Sequence, residues 1–318
     1  MNNISEGIAP AFRKMPRMKI ANKRWILRSL SLLISASRLF YRCPTSIVMT
    51  THRVQGRDNN TVKVIEFAPK NLNAAAPAIV YYHGGGFFMS YGRLHLKQVG
   101  AYAGQLQVRV FFVQYRLSTE QIFPGPLNDC MAALDWVYAN ADRLKVKPER
   151  IAVMGDSAGG CLAASVAQQV FDENQQRDQP QVIRAQLLIY PALDSDCKTH
   201  SAQSFTDTPI WHASNNKMMW QVYLGRADEF RPLAPPAYAS PLHRDDFSGL
   251  PPAYIESAEF DPLRDEAQAY ADALSAAGID VRHALIAGVV HGYDYVEWEI
   301  SQKAKIHRLA SMQALLCD

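Results

Sequence analysis

The sequence predicts an α/β protein: a mostly parallel central sheet with helices on both faces and a helical cap. Two observations carry that reading. Short, continuous apolar runs at 78–82, 108–113, 151–154 and 187–190 look like strands buried on both faces, and helix-patterned segments separate them. From Asp194 to about Pro236 the alternation stops, then resumes at Ala253, as expected for a segment inserted into such a sheet.

Residues 1–42 read as amphipathic helices, with Ala11, Met15, Met18, Ile26, Leu30, Leu33 and Leu39 as apolar positions and Pro16 as a break or a helix start. The β-branched runs 45–51 and 61–67 flank Gly56-Arg57-Asp58-Asn59-Asn60 and read as a hairpin-like pair. Helices are expected over 94–106, 127–141 and 161–170, further strands over 253–257 and 281–286, a helix over 264–277 ended by Gly278, and a last helix over about 297–316. The domain reading is therefore N-terminal cap helices (1–42) followed by one domain (43–318), with 194–236 inserted as cap. In that insert Trp211, Met218, Met219 and Trp220 are bulky enough to close a pocket or to serve as core.

At 318 residues the chain is long enough for a large core. A net charge of +3 gives no argument for nucleic acid, but the charge is uneven: residues 1–42 hold nine Lys/Arg against Glu6, so this stretch carries +8 and the remainder −5. Such an arm suits an acidic membrane surface, an acidic partner, or a solvated face over the protein's own pocket. The five cysteines are scattered without a Cys-x-x-Cys pair, so neither zinc nor a disulfide framework is expected, which suits a cytoplasmic location. Residues 30–36 are apolar but short, interrupted by serines and far from Met1, unlike a signal peptide. No run approaches the length of a membrane span, so stable membrane insertion is not expected.

The chemistry centres on Gly155-Asp156-Ser157-Ala158-Gly159-Gly160, which lies between an apolar run and an Ala-rich helix pattern. A G-x-S-x-G turn between strand and helix exposes the serine on a sharp bend, and the glycines remove side chains that would collide there. The helix N-terminus favours negative charge at the same point. His83-Gly84-Gly85-Gly86 follows the strand at 78–82. Three consecutive glycines let the backbone approach a ligand and aim its N–H groups inward. A serine hydroxyl needs a base, and the order Ser…Asp…His fits this kind of sheet. Of nine histidines, His52, His95, His200, His212, His243, His283 and His307 have no special context. His291 lies late, after the strand at 281–286 and the loop Ala287-Gly288-Val289-Val290. Asp261 follows the preceding strand and is placed to orient it. Asp265, beyond Pro262, is expected in a helix first turn.

With these residues in view, the chain resembles the hormone-sensitive-lipase-like (GDXG) group of α/β-hydrolases, most closely its bacterial acetyl esterase and carboxylesterase branch. Carrying the resemblance are His83-Gly84-Gly85-Gly86, Tyr115-Arg116-Leu117-Ser118, the Ser157 turn, Asp261-Pro262-Leu263-Arg264-Asp265-Glu266 and His291-Gly292, over about residues 78–292. It implies an α/β-hydrolase fold and a serine esterase of short-chain acyl esters working through an acyl-enzyme, without metal or cofactor. It implies Ser157 as nucleophile, His291 as acid/base, Asp261 as its partner, and an oxyanion hole from the N–H groups of Gly85, Gly86 and Ala158. His83, with Gly84, would support that loop, and Asp156 would bind nearby backbone. A homodimer through the last strand is also implied. Thr119, Gln114 and Tyr293 depart from the group's usual Pro, Asp and Phe, which touches loop geometry and substrate preference. The alternatives are an amidase or lactonase with the same residues, or a non-catalytic small-molecule receptor.

Overall fold

In a computed structural model of the chain, residues 4–17, 19–225 and 236–317 are described; Met18 and part of the expected insert, 226–235, lie outside them. The strands are β1 (Ile47–Gln55), β2 (Thr61–Pro69), β3 (Ala76–Tyr82), β4 (Arg109–Gln114), β5 (Val146–Asp156), β6 (Ile183–Ile189), β7 (Ala253–Phe260) and β8 (Val281–Val290). They form one sheet in the order β1-β2-β4-β3-β5-β6-β7-β8. The β1–β2 hairpin is antiparallel, and β2 is antiparallel to β4; every other pairing is parallel.

The helices are α1 (Ile4–Gly7), α2 (Pro10–Arg13), α3 (Arg24–Ala36), α4 (Arg93–Leu106), α5 (Gly125–Ala139), α6 (Ala141–Leu144), α7 (Ala158–Asn174), α8 (His200–Ser204), α9 (Ala213–Tyr223), α10 (Arg264–Ala276) and α11 (Glu299–Cys317). Side chains along β3 alternate between two cores. Val80 and Tyr82 join residues of α5, α7 and α10; Ile79 and Tyr81 join residues of α4 and α11. That is the two-sided burial which the continuous apolar runs imply. Chain order reverses at β3, whose neighbours are β4 and β5. A crevice at such a reversal, beyond the carboxyl ends of the strands, is where ligands bind in open α/β sheets.

Two expectations are corrected. First, residues 287–290 are strand, not loop. β8 runs to Val290 through a bulge at Gly288 (φ +74°), whose N–H donates to Glu259 Oε2 at 2.7 Å and whose carbonyl accepts from Ala9 N at 2.8 Å. Gly288 suits that left-handed backbone, and an isolated glycine in an apolar run gives little sign of whether the strand continues.

Second, α3 is turned from its expected orientation. Its inward face is Leu27, Leu30, Ser31 and Ile34, whereas Leu33, and Leu39 just beyond it, are exposed. Polar groups set the rotation: Ser31 Oγ accepts from Ser90 N at 2.9 Å, and Arg24 Nε donates to Thr119 O at 2.9 Å. Ahead of α3, the N-terminal segment is anchored by Ile8 and Phe12, with Phe12 edge-on to Trp298 at 4.6 Å. Of the two roles open to Met218, Met219 and Trp220 of α9, the fold shows the core one, with Trp220 against Phe87.

One buried ionic cluster ties the far end of the chain to the sheet. Arg308 on α11 donates to Glu256 of β7 (Nε–Oε2 3.0 Å) and to Asp294 (Nη1–Oδ2 2.7 Å), and all three side chains are solvent-free. The hydroxyls of Tyr254, Tyr293 and Tyr190 saturate the two carboxylates. Removing the cation leaves two buried anions. Arg308→Leu should therefore lower unfolding free energy by about 3–5 kcal/mol in urea titrations; a loss below about 1 kcal/mol would show that the two acids find other compensation.

Candidate active site

Ser157 stands between β5 and α7 with φ +54° and ψ −120°, a backbone that L-residues avoid. Close approach of α7 to the sheet enforces the bend. A Cβ at Gly159 would lie 2.0 Å from the Tyr82 carbonyl oxygen, and one at Gly155 would lie 2.1 Å from that of Gly159. Ser157 N donates to Ile189 O at 2.9 Å, and Ser157 O accepts from Cys161 N at 3.1 Å. The serine is therefore locked to β6 on one side and to the first turn of α7 on the other.

Asp261 directly follows β7 and His291 directly follows β8. His291 Nδ1 donates to Asp261 Oδ2 at 2.6 Å, and His291 Nε2 lies 2.9 Å from Ser157 Oγ. All three side chains are buried. The other Asp261 oxygen accepts from Leu263 N at 3.0 Å, which fixes the carboxylate. Tyr190 packs edge-on to the His291 ring at 4.8 Å, with its hydroxyl on Asp294 at 2.6 Å. The Arg308 cluster thus reaches the back of the imidazole.

The loop after β3 brings Gly85 (φ +119°) and Gly86 (φ +59°) to the same pocket. Ala158 is the first residue of α7. The amides of Gly85, Gly86 and Ala158 have no acceptor among the described residues. His83 Nδ1 donates to Gly84 O at 2.7 Å, and its ring stacks on Tyr115 at 4.4 Å. Gly84 N donates to Asp156 Oδ1 at 3.0 Å, and any Cβ on Gly84 would collide with that carboxylate. Asp156 thus binds loop backbone, and it also accepts from Tyr81 and from Tyr295. Burial pushes its carboxyl up, while the two hydroxyls hold it down.

The pocket has a volume of about 380 Å³. Met15 and Ile34 from the N-terminal segment and Ile210 and Trp211 from the insert line it, together with His95 and Tyr295. His95 and Tyr295 were not singled out from sequence; on α4, His95 looks like any helical histidine until the fold turns it inward. Trp211 lies 5.9 Å from the His291 ring.

Asp265 is in the first turn of α10 and also fastens the insert, accepting from Ser201 N at 2.7 Å. Glu266, fully buried, accepts from Leu193 N at 2.7 Å, and burial raises its carboxyl well above the usual range. Asp194, Asp196 and His243 form the one group of prospective metal ligands among the described residues, and none of them lines the pocket.

A strand-end serine, histidine and aspartate beside a glycine-rich amide loop define a serine-hydrolase type of site on an α/β-hydrolase sheet. Comparison with known proteins identifies the family. A family model described as "alpha/beta hydrolase fold" matches residues 79–295. The chain is 38% identical over 242 residues to carboxylesterase NlhH of Mycobacterium tuberculosis, covering 76% of this chain and 74% of the relative. It is 32% identical over 254 residues to ethyl acetate hydrolase of Pseudomonas putida, covering 79% and 76%. Among solved structures, a bacterial heroin esterase superposes with a TM-score of 0.88 at 32% identity over 98% of this chain and 99% of that one. Esterase LipW of Mycobacterium marinum gives 0.86 at 29% identity over 99% and 98%. The chain belongs to the α/β-hydrolase family, in its hormone-sensitive-lipase-like group.

Burial lowers the His95 imidazole from 6.5 to about 4, so it is neutral in the folded chain at neutral pH. Between those values the unfolded chain binds the extra proton, so stability is full above about pH 6.5 and declines as pH falls toward 4. In His95→Gln, unfolding free energy measured from pH 6.5 to 4 should be flatter by up to about 1.4 kcal/mol per pH unit. An unchanged slope would mean that His95 is accessible to protons in the native state.

Proposed function

We propose that the chain is a serine carboxylic ester hydrolase that cleaves short-chain acyl esters through an acyl-enzyme. One observation carries the reading: His291, Ser157 and Asp261 lie 134 and 30 residues apart along the chain, yet meet at 2.9 and 2.6 Å around one imidazole. The ester relatives named above supply the substrate class.

In this reading Ser157 Oγ bonds to the ester carbonyl carbon while His291 Nε2 takes its proton. Asp261 accepts a hydrogen bond from His291 Nδ1–H and, staying ionised, stabilises the imidazolium. The carbonyl oxygen gains the negative charge and receives the amides of Gly85, Gly86 and Ala158, where each donor is typically worth about 3 kcal/mol. The tetrahedral adduct expels the alcohol, which leaves with the proton from His291. Water, deprotonated by His291, then attacks the acyl-serine, and the acid departs as Ser157 regains its proton. These steps use only residues of the chain and water. Residues 1–42 and the insert 194–236 act as the cap, since Met15, Ile34, Ile210 and Trp211 wall the pocket. The edge position of β8 supports dimerisation through that strand.

The purified chain should hydrolyse short aryl esters, and Ser157→Ala should lose at least about 10³-fold in kcat. Equal rates for the two would refute the assignment. Asp261→Asn should lose up to about 10⁴-fold with unchanged circular dichroism, whereas Asp265→Asn, which loosens a helix start and the insert, should cost about 1 kcal/mol of stability and little kcat. The reverse ranking would move the orienting acid to Asp265. Acyl chains from acetyl to hexanoyl should be preferred to dodecanoyl, with Trp211→Ala shifting the optimum of kcat/KM to longer chains. A wild-type optimum at long chains would contradict the small pocket.

A further inference from the structure

The N-terminal helix α3 is apolar on two opposite faces. One face, with Leu27, Leu30 and Ile34, packs inward. The other points to solvent with Trp25 68% exposed, Leu32 71% and Leu33 72%, and the turn that follows adds Leu39 at 85% and Phe40 at 74%. An apolar helix face normally has a partner. Large apolar side chains this exposed and this close together in the chain mark an interaction surface rather than ordinary surface variation. Polar anchors cause the exposure: Ser31 on Ser90 N, and Arg24 on Thr119 O. Ser37 Oγ, accepting from Arg93 N, fixes the end of α3 as well. The helix therefore cannot roll over to hide Leu32 and Leu33 without breaking these bonds.

The charge around this face selects its occupant. Lys19 and Lys23 precede Trp25, Arg28 lies four residues before Leu32, and Arg42 follows Phe40; all four are exposed. Among the described residues, only Arg17 of the nine basic residues in 1–42 has a carboxylate at ion-pair distance, Asp207 at 3.5 Å. Apolar side chains flanked along the chain by exposed cations match an interface that presents hydrocarbon beneath a layer of anions. No helix among the described residues is long and apolar enough to cross a membrane, so contact on this face would be peripheral. Ile34, one residue beyond Leu33, lines the Ser157 pocket, so the exposed face adjoins a wall of that pocket.

We propose that α3 and the turn after it seat the protein on an anionic lipid surface, with Trp25, Leu32, Leu33, Leu39 and Phe40 entering the headgroup boundary and the surrounding lysines and arginines facing lipid phosphates. The proposal concerns where the enzyme sits and holds whichever ester the site takes.

The test is flotation of the full chain with vesicles of phosphatidylcholine alone or of phosphatidylcholine mixed equally with phosphatidylglycerol. Binding is read without turnover, so Ser157→Ala serves as a second sample independent of activity. The chain should float with the anionic vesicles, much less with the neutral ones, and be released at roughly 0.5 M salt, where charge attraction is screened. Its tryptophan emission should shift to the blue on binding. The double variant Leu32→Ser/Leu33→Ser changes only exposed positions; its partition should fall at least about tenfold, with circular dichroism and hydrolysis of a dissolved short ester unchanged. Failure of the wild type to float with anionic vesicles, or equal flotation of the double variant, would overturn the proposal. So would finding a wild-type dimer that the double variant converts to monomer without any lipid binding, which would make the face a contact between copies.

Discussion

The fold is arranged around one uncomfortable backbone. Ser157 holds φ +54°, a conformation that costs on the order of 1–3 kcal/mol and persists only where the surroundings over-determine it. Here they do. The N–H and C=O of Ser157 are bonded to β6 and α7, and α7 presses on the end of β3 so closely that no side chain fits at Gly159. The same contact places the first turn of α7 beside the loop after β3, whose glycines supply the neighbouring amides. Hydroxyl and amides thus share a site as a consequence of one helix docking on one strand end, and the strain serves to aim the hydroxyl away from that helix.

Work is divided between rigid and peripheral parts of the chain. The strand-end residues come from β3, β5, β7 and β8, and buried bonds hold each of them: His83 on Gly84, Asp156 on Gly84 and two tyrosines, and Asp261 on Leu263. Part of the pocket wall comes from the two segments added to the sheet domain. Met15, Ile34, Ile210 and Trp211 belong to the N-terminal segment and the insert, which Asp265 and Glu266 pin to the start of α10. Changes in wall residues would therefore alter the fit of an ester while leaving the proton pathway of this ester hydrolase in place.

Much of this was legible in the residues. Continuous apolar runs gave the buried strands because parallel strands covered on both faces admit little else. The turn around Ser157 and the triple glycine were readable because their chemistry needs glycine at fixed offsets. Asp261 and His291 followed from chain order and strand ends. What escaped depends on three-dimensional neighbours. The inward turn of His95 is set by the packing of α4. The bulge at Gly288 needs Glu259 and Ala9 to define it. The rotation of α3 follows from Ser31 and Arg24 bonding to backbone groups 59 and 95 residues away, which overrides the amphipathic pattern within the helix. The Arg308 cluster gathers groups from β7, α11 and the segment after His291, and no local spacing marks it.

The contact between Ala9 N and Gly288 O bears on aggregation. β8 ends the sheet, and an edge strand offers unpaired backbone groups to any other extended chain. The bulge at Gly288 bends that edge, and the N-terminal segment caps it at the same residue. Uncapped backbone is thereby confined to the earlier part of β8, where Arg282 and His283 interrupt the apolar pattern. The segment from Ile8 to Phe12 acts as a guard on the edge nearest the strand's carboxyl end. A chain shortened at its start would bare that edge and the apolar seats of Ile8 and Phe12 together, favouring sheet-to-sheet growth over a discrete pairing of two copies.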